Sequence, residues 1–134
     1  MAKEILVGKQ LTENMIKAGK ELTKKLDNAS SQVKAAFWLY LPENQDWKLL
    51  FASPLVSSEG PKKFYQRVIE ANKLARPDEE VIPLSAVSAM EESDEIVRIL
   101  KLFMRTTAGI SGIRFSRNTI NGHYIEDAYI YRLT

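Results

Sequence analysis

The side chains with the greatest capacity for chemistry lie in the last quarter of the chain, around its only histidine, His123. Two strand-like runs, 111–120 and 123–131, flank Asn121 and Gly122. Asn-Gly between such runs is the strongest short-range signal for a β-hairpin with a two-residue turn. We therefore expect a C-terminal hairpin whose register is fixed by this turn.

Four side chains of the hairpin are candidates for contacts with an anion or a partner: Arg114, Arg117, His123 and Asp127. The expected register places Arg117 opposite Glu126, where the two side chains would form a cross-strand ion pair. Strict alternation along both strands places Arg114, His123 and Asp127 on one face of the hairpin and Arg117 on the other.

A hydrolytic site is suggested by three residues of the same predicted face. Ser116, His123 and Asp127 supply a hydroxyl, an imidazole and a carboxylate. However, four residues along a strand span roughly 13 Å, so Asp127 is too far from His123 to orient the imidazole. We therefore assign no catalytic residue.

A second arrangement is formed by Asp46, Trp47 and Lys48. An acid, any residue and a lysine at the start of a strand is similar to the order found in PD-(D/E)xK nucleases. That chemistry requires another carboxylate on the preceding strand to share a metal ion. The preceding run, 33–41, contains no carboxylate. We expect Asp46 and Lys48 to end a hairpin loop instead.

Three aromatic residues, Trp38, Tyr40 and Trp47, are candidates for lining a pocket that binds a flat ligand. Packing in the core is the default interpretation of these residues. The run 33–41 is apolar on both faces, which is typical of a strand covered on both sides.

The composition excludes several classes of site. The 134 residues include no cysteine and one histidine, which excludes disulfides, thiolate metal sites and histidine-rich metal sites. We expect no metal and no cofactor.

A net charge of +2 and an acidic stretch at 78–95 predict no strong binding to nucleic acid. No apolar run is long enough for a signal peptide or a membrane span, so we expect a cytoplasmic protein without membrane contacts.

The elements that would position these side chains form a single domain, 1–134. Apolar spacing, capping residues and turn signals predict, in chain order, a helix at 10–28, strands at 33–41 and 47–53, a helix at 61–76, a short strand candidate at 81–84, a helix from Ser93 that stops at Gly109, and strands at 111–120 and 123–131. Two strand connections are tight hairpins. The order therefore favours an α+β domain, with three helices and a mixed or antiparallel sheet of about five strands, over a parallel sheet.

The segments 37–42 and 47–54, with the helix after Gly60 and Pro61, resemble a family of small uncharacterised bacterial proteins. This resemblance implies no activity. A helix that leads into an aromatic-rich central hairpin also resembles, more distantly, the first half of GAF-type sensory domains. The chain lacks both the cysteine to which bilin-binding members attach their chromophore and the cyclic-nucleotide signature. The resemblance therefore implies no particular ligand.

We expect a non-enzymatic module that binds a small molecule or a protein partner, with a homodimer through the edge strands as one form of partnership. The alternative is an enzyme that acts on a nucleic acid or a phosphorylated substrate through the terminal hairpin. The directions of four side chains distinguish the two functions. Convergence of Arg114, Arg117, His123 and Asp127 in a cleft favours the enzyme, and a flat solvated sheet favours the module.

Overall fold

The computed structural model describes residues 2–134, which form four helices and seven strands. In chain order the elements are β1 (Lys3–Glu4), α1 (Glu13–Asn28), β2 (Ala35–Leu41), β3 (Asp46–Ala52), α2 (Pro54–Glu59), α3 (Pro61–Lys73), β4 (Glu80–Val81), a 3-10 turn (Leu84–Ala86), β5 (Val87–Met90), α4 (Glu95–Phe103), β6 (Ile113–Ile120) and β7 (His123–Leu133).

Five strands form one sheet in the order β5-β3-β2-β7-β6. Neighbouring strands are antiparallel except β3 and β5, which run parallel. β1 and β4 form a separate parallel pair. The sheet is therefore mixed, and the α+β fold class predicted from the sequence is confirmed.

Helices cover both faces of the sheet. On one face, α1 and α3 pack with Trp38 and Phe51 in one buried cluster. On the other face, α4 packs with Phe37 and Leu50 in a second cluster. The prediction that both faces of the run 33–41 are covered is confirmed. Each large apolar side chain buried in this way contributes about 1.5–3 kcal/mol.

The short elements differ most from the prediction. α2 was not predicted; it begins where the Ser53 hydroxyl accepts a hydrogen bond from the Leu55 N–H at 3.1 Å, with Pro54 in its first turn. The strand candidate at 81–84 is reduced to β4, and β5 instead forms one edge of the five-stranded sheet. Its sequence, Val-Ser-Ala-Met, has little strand propensity of its own, so its parallel pairing with β3 must define it.

α4 ends at Phe103, whereas the sequence predicted a stop at Gly109. The chain after α4 is held beside β7 because the Thr106 N–H donates to the Leu133 carbonyl and the Leu133 N–H donates to the Thr106 hydroxyl, both at 2.9 Å. These bonds favour an extended backbone over another helical turn.

The terminal hairpin has the predicted turn and register. Asn121 and Gly122 have φ angles of 51° and 82°, as the expected turn requires. Ser116 lies opposite Asp127, which agrees with the register set by that turn. The sequence therefore specifies which residues of β6 and β7 are neighbours.

The predicted faces of the hairpin tip were wrong. Arg117 has a φ of 53°, and this left-handed residue breaks the alternation of side chains along β6. Beyond it, Ile120 and Ile125 pack with Phe115 in the core cluster under α4, although the predicted alternation separates them from Phe115. The tip of the hairpin is therefore turned over relative to its base.

Candidate functional site

A groove of about 420 Å³ opens on the same face of the sheet as α1, between the N-terminal segment, β2, β3 and the terminal hairpin. Its volume is in the ordinary range of small-ligand sites, roughly 300–1,000 Å³. The pairing of β2 with β7 places the hairpin beside the aromatic strands. Two sets of residues that the sequence marked separately therefore meet here. The lining residues are Lys9, Tyr40, Trp47, Ser116, Arg117, Glu126 and Asp127.

The floor of the groove is aromatic. Tyr40 and Trp47 are cross-strand neighbours, and their ring centroids lie 5.5 Å apart with 59° between the ring planes. The Trp47 indole N–H donates to the backbone carbonyl of Lys9 at 3.1 Å, which holds the N-terminal segment at the edge of the ring. Because Trp47 is only 2% exposed, the half-buried Tyr40 is the aromatic surface that a ligand would contact.

Asp127, in one wall of the groove, forms a bidentate ion pair with Arg114, which lies behind that wall. The Arg114 Nε and Nη2 atoms donate to the two Asp127 oxygens at 2.6 and 2.5 Å, and these hydrogen bonds raise the pKa of the guanidinium. The guanidinium carbon also lies 5.6 Å from the centroid of the Trp47 ring. Tyr129, not Asp127, is directly opposite Arg114, so the pair spans a diagonal of the ladder. The pair shapes the groove and adds little charge to it.

Arg117 is the second hairpin residue in the groove. Its φ of 53° is unusual for a residue other than glycine inside a strand. Its side chain lines the groove, and the predicted ion pair with Glu126 was wrong. Within residues 2–134, the cross-strand ion pair of the hairpin joins Arg114 and Asp127 instead.

Lys9 and Arg117 are the two cations of the groove lining, and the Glu126 carboxylate opposes one of these charges. Neither side chain takes part in an ion pair within residues 2–134, whereas the charge of Arg114 is neutralised by Asp127. Glu126 is the remaining carboxylate of the lining. Together with the nearby hydroxyl groups, the two free cations suit an anionic group of a ligand.

Trp38 lies apart from the other two aromatic candidates. It is fully buried beneath α1, and its indole N–H donates to the Tyr131 hydroxyl at 3.0 Å. That hydroxyl in turn donates to the backbone carbonyl of Ile16 at 2.5 Å. Burial raises the pKa of the Tyr131 phenol well above its usual range. Trp38 thus belongs to the structural core, and it does not line the groove.

His123 also lies outside the groove. Its Nε2 atom is 3.6 Å from a carboxylate oxygen of Glu95, in the first turn of α4. The sequence predicted that Asp127 and His123 share one face of the hairpin. Asp127 instead binds Arg114 on the face of the sheet opposite α4. Ser116, His123 and Asp127 are therefore not brought together as a hydrolytic site.

The possible nuclease residues do not assemble either. The Lys48 ammonium donates to the backbone carbonyl of Ser85, and Asp46 begins β3 with one carboxylate oxygen buried. Among residues 2–134, no group of three or more histidine, aspartate or glutamate side chains is placed to hold a metal ion.

None of the helices in residues 2–134 is both long enough and apolar enough to traverse a lipid bilayer. Comparisons of the chain with protein-family models, curated proteins and solved structures find no match.

Proposed function

We propose that the protein is a non-enzymatic binding module whose groove holds the anionic group of a ligand between Lys9 and Arg117. The bound group is a carboxylate or a phosphate, since both accept hydrogen bonds from ammonium and guanidinium groups.

The backbone of Arg117 is the observation that carries this proposal. A left-handed residue other than glycine destabilises a fold by about 1–3 kcal/mol, and such residues cluster at binding sites. Here the strained residue lines the groove and forms no ion pair with Glu126 across the ladder. A bound anion would supply the bidentate partner that the guanidinium lacks.

The rest of the groove supports a ligand with a flat portion next to its charge. Tyr40 is half-buried and is oriented by its contact with Trp47, so its exposed surface can pack against an unsaturated ring or chain. The bidentate pair of Arg114 and Asp127 fixes the neighbouring wall before a ligand arrives. Such preorganisation lowers the entropic cost of binding.

The positions of the acid–base groups favour binding over catalysis. The imidazole of His123 contacts Glu95 on the opposite face of the sheet. Both oxygens of Asp127 accept hydrogen bonds from Arg114, so Glu126 is the lining carboxylate that forms no ion pair within residues 2–134. General acid–base catalysis uses a positioned group within hydrogen-bond reach of the reacting atom, often with a partner that orients this group. The groove does not bring such a pair together from His123 and Asp127.

Isothermal titration calorimetry with phenyl phosphate tests the proposal. Arg117→Gln and Lys9→Gln should each weaken binding at least tenfold, because a hydrogen bond to a charged group contributes about 1.5–3 kcal/mol. The matched controls, Arg105→Gln and Lys20→Gln, replace exposed cations that form no ion pair within residues 2–134. They should change the affinity less than twofold. Equal losses in all four variants would show that only the overall charge matters and would refute the site.

A further inference from the structure

We infer that the anion bound in the groove belongs to an extended segment of a partner protein, which adds as a further strand to the outer edge of β6. This inference rests on the proposed anion site and names its occupant. The occupant is a segment in which acidic and apolar residues alternate.

The first reason is that the two edges of the sheet differ. The edge at β5 is four residues long, and the backbone N–H of Ala89 donates to the Tyr65 hydroxyl of α3 at 2.9 Å. The edge at β6 is eight residues long and has no strand on its outer side within residues 2–134. Its residues from Ser116 to Thr119 are exposed. An open edge of this kind is a template for strand addition.

The second reason is that the two faces beside β6 have different chemistry. On the groove side lies Arg117, which forms no ion pair within residues 2–134, whereas Lys9 is held at Trp47 of β3, farther from the edge. On the α4 side, Phe103 packs against Phe115 with ring centroids 4.4 Å apart and is 50% exposed, and the adjacent Leu102 is 69% exposed. Side chains of an added strand alternate between the two faces. Acidic residues would therefore meet Arg117, and the intervening apolar residues would meet Phe103.

Charged residues and irregularities can also protect an edge strand against pairing. Two features of β6 distinguish it from a protected edge. The charge of Arg114 is compensated by Asp127, and the kink at Arg117 directs this side chain into the groove instead of outward along the edge. The regular segment from Ile113 to Phe115 precedes the kink and has no strand on its outer side within residues 2–134, whereas the Ser116 carbonyl already accepts a hydrogen bond from the Asn118 side-chain amide at 2.8 Å. A bulge-like irregularity that re-aims one side chain is common beside binding sites.

A single-stranded nucleic acid is a less suitable occupant. Proteins that bind such strands present aromatic side chains on which bases stack. In this groove Trp47 is 2% exposed and its ring is adjacent to Arg114, which leaves Tyr40 as a single partly covered ring. The apolar surface at Phe103 would also have no counterpart on a phosphate backbone.

Fluorescence anisotropy with a fluorescein-labelled seven-residue peptide of alternating Glu and Val tests this inference. The Arg117→Gln variant should bind this peptide at least tenfold more weakly than the unmodified protein, and Arg105→Gln should bind it within twofold. A peptide of alternating Lys and Val should bind at least tenfold more weakly. An oligothymidylate of similar charge that bound more tightly than the Glu-Val peptide would overturn the choice of partner.

Backbone methylation separates strand addition from simple charge attraction. Two further peptides carry N-methyl groups on alternate amides, one on the even and one on the odd positions, so that only one of them blocks the amides facing β6. One peptide should lose at least tenfold in affinity and the other should not. If both bind like the parent while phenyl phosphate still competes, strand addition is refuted and the anion site stands. If neither phenyl phosphate nor any peptide binds, both proposals are refuted.

Discussion

Gly19 occupies the closest approach between α1 and the sheet, and Gly19→Ala tests the packing there. In an exposed helix this change would stabilise the protein by about 1 kcal/mol, because alanine is the better helix former. At this position an added Cβ would lie 2.8 Å from Trp38 Nε1 and still closer to the Tyr131 hydroxyl. Both atoms belong to a buried chain of hydrogen bonds that ends at the Ile16 carbonyl.

The expected loss of stability combines two costs with one smaller gain. Overpacking a rigid core costs about 1–3 kcal/mol. Displacing a buried hydrogen bond costs about 1–3 kcal/mol more, because the donor or acceptor is left without a partner. After the helix-propensity gain is subtracted, Gly19→Ala should lower the free energy of unfolding by about 3 kcal/mol.

Urea unfolding followed by circular dichroism measures this loss, and Tyr131→Phe provides the second arm of a double-mutant cycle. Removing the hydroxyl leaves space for the new Cβ, so the double variant should lose less stability than the sum of the single losses, by about 1 kcal/mol or more. A neutral or stabilising Gly19→Ala, or strict additivity in the cycle, would refute the packing described for this contact.

Three further predictions concern stability. Asp27→Ala should cost about 3 kcal/mol in a thermal or urea melt, because it leaves the buried Arg132 guanidinium without its bidentate partner; a loss under 1 kcal/mol would contradict this. The Lys25 ammonium donates a hydrogen bond that holds the pKa of Glu79 below its ordinary value of 4.5. The stabilisation that this bond gives the folded protein is complete above pH 4.5 and is lost as the pH falls through the lowered pKa. Glu79→Gln should therefore flatten the acid limb of the stability profile, and an unchanged limb would argue against the pair. Gly122→Val should cost about 1 kcal/mol or more, since φ there is 82°, and equal stability would contradict the turn.

The parts of the fold that could be predicted are those specified by local chemistry. Asn121 and Gly122 determine the turn by themselves, so the hairpin register followed from two residues. β5 could not be found in this way, because its position depends on parallel pairing with a strand far away in the chain. The reversal at Arg117 has no local signal either, since arginine does not favour a left-handed backbone.

The candidate site was predictable in its components and not in its assembly. Tyr40, Trp47 and the hairpin arginines stand out by residue type, but they meet only because β7 pairs with β2. Lys9 has no distinguishing sequence pattern. Its place in the groove depends on the hydrogen bond from Trp47 to its carbonyl, a contact between distant parts of the chain. Similarly, Trp38 and Trp47 are alike in residue type and belong to the same buried cluster, and only the packing of α1 keeps Trp38 out of the groove that Trp47 lines.

An NMR titration of the 15N-labelled protein with phenyl phosphate tests most directly whether the groove binds an anion. We expect saturable shifts that are largest at the amides of Tyr40, Ser116 and Arg117 and at the Arg117 side-chain Nε–H, with little change at His123 on the opposite face. Largest shifts at His123 and the start of α4, or no saturable shift in the groove, would contradict it.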